Sequence, residues 1–306
     1  MQLSVIIPTY NPNAERLQQT LSALKNQSLT ADNWELIIID NNSTNDFGQQ
    51  INLGWHPAAK IVREIKQGLT YARLKGFNES TGDIIVMVDD DNILDAGYLE
   101  KVLNIFHQNS KVGAIGGKSI PLFETAPPEW LGQFYNNLAL RNLGDAPIIA
   151  MWNNEYPNAA PIGAGMAIRR EALVSYIEKI TSGNSSISDR TGNSLNSGGD
   201  NDMVIEILKS GWQVGYFPEL MLQHIIPAQR MEADYLARLL NNTNKSWVQL
   251  LQSHDINPWQ QITKSGALLR KAKAWFAYKA WKSKPDYIKW RGACGMFDGL
   301  ASLSHQ

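Results

Sequence analysis

Cysteine is almost absent from this 306-residue chain, where Cys294 stands alone. A single thiol excludes an internal disulfide and a cysteine-based zinc site. A reducing compartment is then the simplest expectation. Long apolar runs are missing too. None approaches the roughly 18 residues of a membrane span. The first apolar run begins at Leu3 without a basic stretch before it and is interrupted by Pro8. The chain therefore reads as lacking a targeting segment. The expected location is cytoplasmic, with at most peripheral attachment to the inner face of the cytoplasmic membrane. Charge of one sign is not in excess: 28 Lys+Arg stand against 29 Asp+Glu, a formal net charge of −1. That balance excludes a uniformly basic nucleic-acid binder and an acidic disordered chain. Internal repeats are absent. What remains, 43% hydrophobic and 19% charged residues, is ordinary globular composition.

The first half alternates two kinds of segment. Residues 3–8, 34–39 and 84–88 read as buried strands, with a shorter one at 60–65 and an extended segment at 112–116. Between them, residues 14–26, 70–80 and 95–107 carry helical spacing, as in Leu17, Leu21 and Leu24. This rhythm predicts an α/β fold with a mostly parallel sheet flanked by helices. Residues 118–162, rich in Pro, Asn and aromatics, read as long loops, and 181–199 as a mobile loop. A Gly-rich segment and helix are predicted over 163–180, a helix over 200–210 and a strand over 212–217. From about 230 onward the pattern is helical.

Three strands end in polar clusters: Pro8-Thr9-Tyr10-Asn11, Asp40-Asn41-Asn42-Ser43 and Asp89-Asp90-Asp91-Asn92. Turns and caps account for one such cluster. Three in succession point to a site, because open α/β sheets bind ligands beyond the carboxyl ends of their strands. Asp89 and Asp91 are two apart and, in an extended segment, would face one cation. Hard ions such as Mg²⁺ or Mn²⁺ favour such oxygen ligands. A calcium loop is excluded because Ile93 and Leu94 stand where an oxygen ligand and a glycine are needed.

Together these segments resemble the family 2 glycosyltransferases, enzymes of the GT-A fold, which is Rossmann-like. The resemblance rests on residues 4–11, 35–43, Gly68-Leu69 with Ala72-Arg73, and Gly82-Asp83 leading into Asp89-Asp90-Asp91. Gly163-Ala164-Gly165 through Arg170, Gly198 through Asp202, and His224 with Pro227 and Arg230 follow in family order. It implies an inverting transfer of a sugar from a nucleotide-diphospho-sugar (UDP-, dTDP- or GDP-linked) to a saccharide or lipid-linked acceptor. The implied setting is cell-surface polysaccharide or glycolipid synthesis.

By resemblance, Pro8, Thr9 and Tyr10, with Asn11 and Asn42 beside them, would line the nucleotide, and Asp40 would accept a hydrogen bond from its base. Arg73 would approach the diphosphate, Asp90 the ribose, and Asp91, with Asp89, the divalent metal (Mn²⁺ or Mg²⁺) of a DXD motif. Gly163, Ala164 and Gly165 would let backbone approach the donor sugar or acceptor. Asp200 would be the general base, with Asp202 the alternative. Both also suit the first turn of a helix, where carboxylates cap and complement the dipole. His224 would contact metal or diphosphate, since neutral imidazole binds Mn²⁺. Trp130 offers an aromatic face to an acceptor sugar, although tryptophan is also ordinary core material.

Two competing readings stand beside this one. A nucleotidyltransferase that makes a nucleotide-sugar would need a Gly-rich basic loop, and residues 8–16 contain no glycine. A non-catalytic nucleotide-sugar-binding scaffold is the other, and intact Asp89, Asp91 and Asp200 argue against it. The expected domains are a catalytic domain over 1–230 and a helical extension over 231–306. The first divides into a nucleotide-sugar part, 1–117, and an acceptor part, 118–230. Residues 264–291 hold nine Lys/Arg against the single acid Asp286, a balance of +8 that leaves −9 on the rest. With Trp275, Trp281 and Trp290 among them, they can lie on an anionic membrane surface. On a wheel, Lys279 interrupts the apolar arc of that helix. No nucleic-acid recognition motif accompanies the charge.

Overall fold

The computed structural model describes residues 2–182 and 198–303, in two compact units. The first takes residues up to 122, then 139–182 and 203–225. The second takes 123–138, 198–202 and 226–303. The proposed 181–199 loop lies mostly outside the described residues.

The first unit opens β1 (Leu3–Thr9), α1 (Ala14–Lys25), β2 (Trp34–Asp40), a one-turn α2 (Phe47–Gln50) and β3 (Ala59–Arg63). α3 (Leu69–Glu79), β4 (Ile84–Met87), β5 (Asn92–Leu94) and α4 (Tyr98–Gln108) follow. Asn13 starts α1 by accepting a hydrogen bond from the Arg16 N–H at 3.1 Å, and Leu17, Thr20, Leu21 and Leu24 form its buried stripe. β1 and β2 are buried almost throughout because helices cover both faces of a parallel sheet.

The remaining elements are β6 (Val112–Phe123), β7 (Ile148–Ala150), β8 (Ala167–Arg169), α5 (Val174–Thr181), α6 (Gly199–Lys209) and β9 (Gln213–Ile226). Strand order is β3-β2-β1-β4-β8-β6-β9-β5, with β7 on β9. β3, β2, β1 and β4 are parallel, as the rhythm predicts. Beyond β4 the pairings β4–β8, β6–β8, β5–β9 and β7–β9 are antiparallel.

Successive side chains of β1 divide the core. Leu3, Val5 and Ile7 meet α1 and α4, while Ile6 joins Ile37, Ile85 and Met87 against Phe77, Tyr176 and Met203. Burying each such side chain contributes about 1.5–3 kcal/mol.

The 118–162 stretch is less loop-like than expected. β6 continues to Phe123, and a 3₁₀ helix spans Glu129–Leu138. β8 was hidden inside the Gly-rich segment, since three residues carry no periodicity. β9 extends nine residues past the predicted end. Arg169 and Arg170 serve this fold directly. Arg169 donates to the carbonyls of Val112 at 2.9 Å and Phe106 at 2.6 Å, and Arg170 donates to that of Gly82 at 2.8 Å.

The second unit is built on α7 (Ala233–Ser253), α8 (Lys264–Ala277) and α9 (Lys284–Ser302). α9 approaches α7 closely enough that a Cβ on Gly295 would overlap the Asn241 carbonyl oxygen, 1.9 Å away. Asn241 and Asn244 reinforce the contact by donating to the carbonyls of Arg291 and Gly292, each at 3.0 Å. No described helix is long and apolar enough to cross a membrane.

Candidate active site

The strand order reverses direction between β1 and β4. A crevice opens at such a switch point, beyond the carboxyl ends of the strands. Two of the three polar clusters flank it, and the third follows β2.

The first two are tied together. The Asn41 N–H donates to the Thr9 carbonyl at 2.8 Å, continuing the β1–β2 ladder. Asn11, in the left-handed region at φ 47°, donates its N–H to the Ser43 hydroxyl at 2.9 Å and accepts from the Thr44 N–H at 2.9 Å. Asp40 accepts from the Ser43 N–H at 2.8 Å, and Arg63 donates to the Asn42 side chain at 2.9 Å. Asn41 has a purely architectural part, donating to the Lys66 carbonyl and accepting from the Gly68 N–H, both at 2.8 Å. Pro8 and Thr9 are buried while Tyr10 is exposed at the strand end.

The third cluster is a tight turn, not an extended segment. The Asn92 N–H donates to the Asp89 carbonyl at 3.1 Å, and the Asn92 side chain accepts from the Asp89 N–H at 3.2 Å. Strand alternation therefore does not bring Asp89 and Asp91 to one side. The turn separates their environments instead: Asp91 is buried and Asp89 half-buried. Thr9 donates its hydroxyl to Asp90, joining the β1 and β4 ends.

Asp91 meets His224 of β9, with Nε2 3.5 Å from Oδ1. The register explains this: Asn92 of β5 pairs with His224, and the Ile225 N–H donates to the Asp91 carbonyl at 2.9 Å. The Asp91 carboxylate is the kind of oxygen ligand that Mn²⁺ and Mg²⁺ take, and the neighbouring imidazole adds a nitrogen donor that favours a transition metal such as Mn²⁺ over Mg²⁺. Arg73 is buried on α3.

Gly163 and Ala164 are buried. At Gly165 the crowding comes from the protein itself. Its φ is +73°, and a Cβ there would lie 2.6 Å from Leu222 and 2.7 Å from the Tyr98 hydroxyl. Tyr98 donates that hydroxyl to the Gly165 carbonyl at 2.7 Å, and burial pushes its phenol pKa upward. This glycine is required by packing, whatever approaches from outside.

Asp200 and Asp202 both lie in the first turn of α6. Asp202 is only 1% exposed, and its Oδ1 lies 2.7 Å from Nε2 of His254, itself 3% exposed. His254 closes α7, and in the sequence nothing distinguishes it from any other lone histidine. Trp130 packs edge-on against Phe134 at 6.0 Å and, with Tyr287, lines a cleft of about 660 Å³ in the second unit.

The family model for glycosyl transferase family 2 matches residues 4–176, more than half of the chain. The chain belongs to glycosyl transferase family 2. Among curated relatives, a dolichol-phosphate mannosyltransferase of Pyrococcus furiosus is 32% identical over 123 residues, covering 39% of this chain and 34% of the relative. The poly(ribitol-phosphate) β-N-acetylglucosaminyltransferase TarP of Staphylococcus aureus is 30% identical over 139 residues, 39% of each chain. The match thus spans well under half the length of these relatives. Among solved structures, the mannosyltransferase PcManGT of Pyrobaculum calidifontis, in complex with GDP-Man and Mn²⁺, superposes with a TM-score of 0.59 at 17% identity, over 98% of this chain and 86% of that one. S. aureus TarS 1–349 gives 0.54 at 13% identity, over 99% and 91%. These likenesses establish the glycosyltransferase fold, GT-A, with helices following the sheet.

Proposed function

We propose that this family 2 protein transfers a sugar, with inversion, from a nucleotide-diphospho-sugar to a saccharide or lipid-linked acceptor. The observation that carries the proposal is the convergence of Thr9, Asp90, Asp91 and His224 at the switch point of the sheet. The bound GDP-Man and Mn²⁺ of PcManGT and the acceptor classes named for the relatives support it.

In this reading Tyr10 lies against the nucleotide base, with Pro8, Thr9, Asn11 and Asn42 lining it and Asp40 accepting from its edge. Asp90, oriented by the Thr9 hydroxyl, takes the ribose, and Arg73 faces the diphosphate. Asp91 and His224, with Asp89 at the turn, would hold a divalent cation, either Mn²⁺ or Mg²⁺. Such a cation supplies positive charge to the leaving diphosphate. Gly163, Ala164 and Gly165 let backbone approach the donor sugar or acceptor, and Trp130 offers a ring face to an acceptor sugar. Asp200 accepts the proton of the acceptor hydroxyl as its oxygen bonds to the anomeric carbon and the bond to the diphosphate breaks. Asp202 is the weaker candidate because His254 engages it in a buried setting. A UDP-, dTDP- or GDP-sugar remains open as donor. A lipid-linked acceptor would be met at a membrane surface, in polysaccharide or glycolipid synthesis, and the basic 264–291 segment suits peripheral attachment there.

A thermal-shift series of nucleotide-sugars with Mn²⁺ tests the donor, since a ligand at 100 times its Kd stabilises by about 2.7 kcal/mol. Asp91→Asn should remove the Mn²⁺-dependent part of the shift. A shift equal to wild type would overturn the metal assignment.

A further inference from the structure

α8 divides into three sectors. Ala267 and Ala274 face inward and are buried. Trp275 reaches α9, where it packs edge-on against Trp290 at 4.7 Å, and the Trp290 indole donates to the Lys271 carbonyl at 3.0 Å. These contacts fix the rotation of the helix. Leu268, Ala272, Phe276 and Leu269 consequently point outward, on an arc of about 100° at 3.6 residues per turn. Leu268, Leu269 and Phe276 are 67%, 66% and 68% exposed. Arg270 and Lys273, both exposed, border that arc on its far side.

The end of α8 decides whether the arc is continuous. Had the helix run on, Lys279 would sit in the middle of the apolar face. Instead α8 stops at Ala277, and Lys279 adopts a left-handed φ of 50°. The Lys279 N–H donates to the Phe276 carbonyl and the Ala280 N–H to that of Trp275, both at 3.0 Å. This is the Schellman pattern that ends a helix. Lys279 therefore leaves the wheel, and the sequence-level interruption disappears. The turn brings Trp281, 59% exposed, against Phe276 with ring centroids 5.8 Å apart. The exposed bases Lys279, Lys282 and Lys284 follow around the same turn.

We propose that this face docks the protein on an anionic lipid bilayer. Leu268, Leu269, Phe276 and Trp281 would enter the headgroup–acyl boundary, while Arg270, Lys273, Lys279, Lys282 and Lys284 meet lipid phosphates. An apolar arc bordered by lysine and arginine, with tryptophan at its edge, is the pattern of an interfacial helix. Charge selects the partner. A second copy of this chain would oppose one +8 segment with another, whereas an anionic surface neutralises it. The inference deepens the lipid-linked-acceptor reading, yet vesicle binding needs neither donor nor acceptor, so the two fail separately.

The test is co-sedimentation of the full chain with vesicles of phosphatidylcholine alone or mixed equally with phosphatidylglycerol, at low and high salt. Wild type should bind the mixed vesicles only, and less at high salt. Leu269→Gln with Phe276→Gln should weaken binding at least about tenfold. Arg270→Gln with Lys273→Gln should weaken it by roughly 25-fold, fivefold for each cation. All four positions are exposed, so the fold should not change, and nucleotide-sugar binding checks this. Asp91→Asn should still bind vesicles. Equal binding by the Leu269/Phe276 variant, or binding independent of phosphatidylglycerol, would overturn the proposal. So would a wild-type dimer that ignores vesicles and dissociates in that variant, or retention on DNA that vesicles do not displace.

Discussion

The buried Asp202–His254 contact gives the sharpest test of how α6 is held. Its atoms lie 2.7 Å apart, and neither side chain is more than 3% exposed. A hydrogen bond to a charged group contributes about 1.5–3 kcal/mol, and stranding a buried charge can raise the loss to about 3–5 kcal/mol. His254→Ala should therefore destabilise by about 3 kcal/mol. With an m-value near 3 kcal/mol/M, the urea midpoint falls by about 1 M. Asp202→Asn keeps the shape and one hydrogen bond, so its loss should be about 1–2 kcal/mol. Tryptophan fluorescence in urea reads both. Transfer assays below the unfolding range read function: Asp200→Asn should lose about 10²–10⁴ in kcat, and Asp202→Asn less than tenfold. An unchanged midpoint in His254→Ala would show that the contact carries no stability. Normal transfer by Asp200→Asn, with none by Asp202→Asn at wild-type stability, would make Asp202 the base.

Glu35 offers a pH-dependent prediction. Burial pushes its carboxyl pKa up, but the Thr81 hydroxyl and N–H and the Ser4 hydroxyl, donating at 2.7, 2.6 and 2.7 Å, bring it below its ordinary value. A depressed carboxyl stabilises the fold above its unfolded pKa and loses that contribution as pH falls through the folded one. Wild type should thus lose its advantage over Glu35→Gln as pH drops below about 4.3; parallel urea midpoints across that range would refute this. Gly295→Val should disrupt α7–α9 packing and lower the melting temperature by several degrees, whereas Gly132→Val, with open space around it, should not. Tyr98→Phe should lose about 1 kcal/mol from the bond to Gly165, read as a small urea-midpoint shift with donor binding retained.

Much of the first unit was legible because its signals are local. An apolar run such as Leu3–Ile7 has to be buried, and polar residues after it have to lie at the strand end. Ordered along the chain, those runs imply a mostly parallel sheet with a crevice beyond its strand ends, while the order β3-β2-β1-β4 is set by the pairings. β8 was illegible because three residues have no period. Its place is fixed by pairing with β4 and β6, which are distant in sequence.

The candidate site divides the same way. The acidic cluster after the third apolar run nominated Asp91 for a hard cation, and the family resemblance added Asp40, Asp90 and His224. Only the tertiary structure could set Asp91 beside His224, because that proximity depends on β5–β9 register across some 130 residues. It also assigned Gly165 to Tyr98, joined Asp202 to His254, and removed Lys279 from the apolar face of α8. Each of those outcomes depends on where a chain turns or on what packs behind it, and residue spacing along one element records neither.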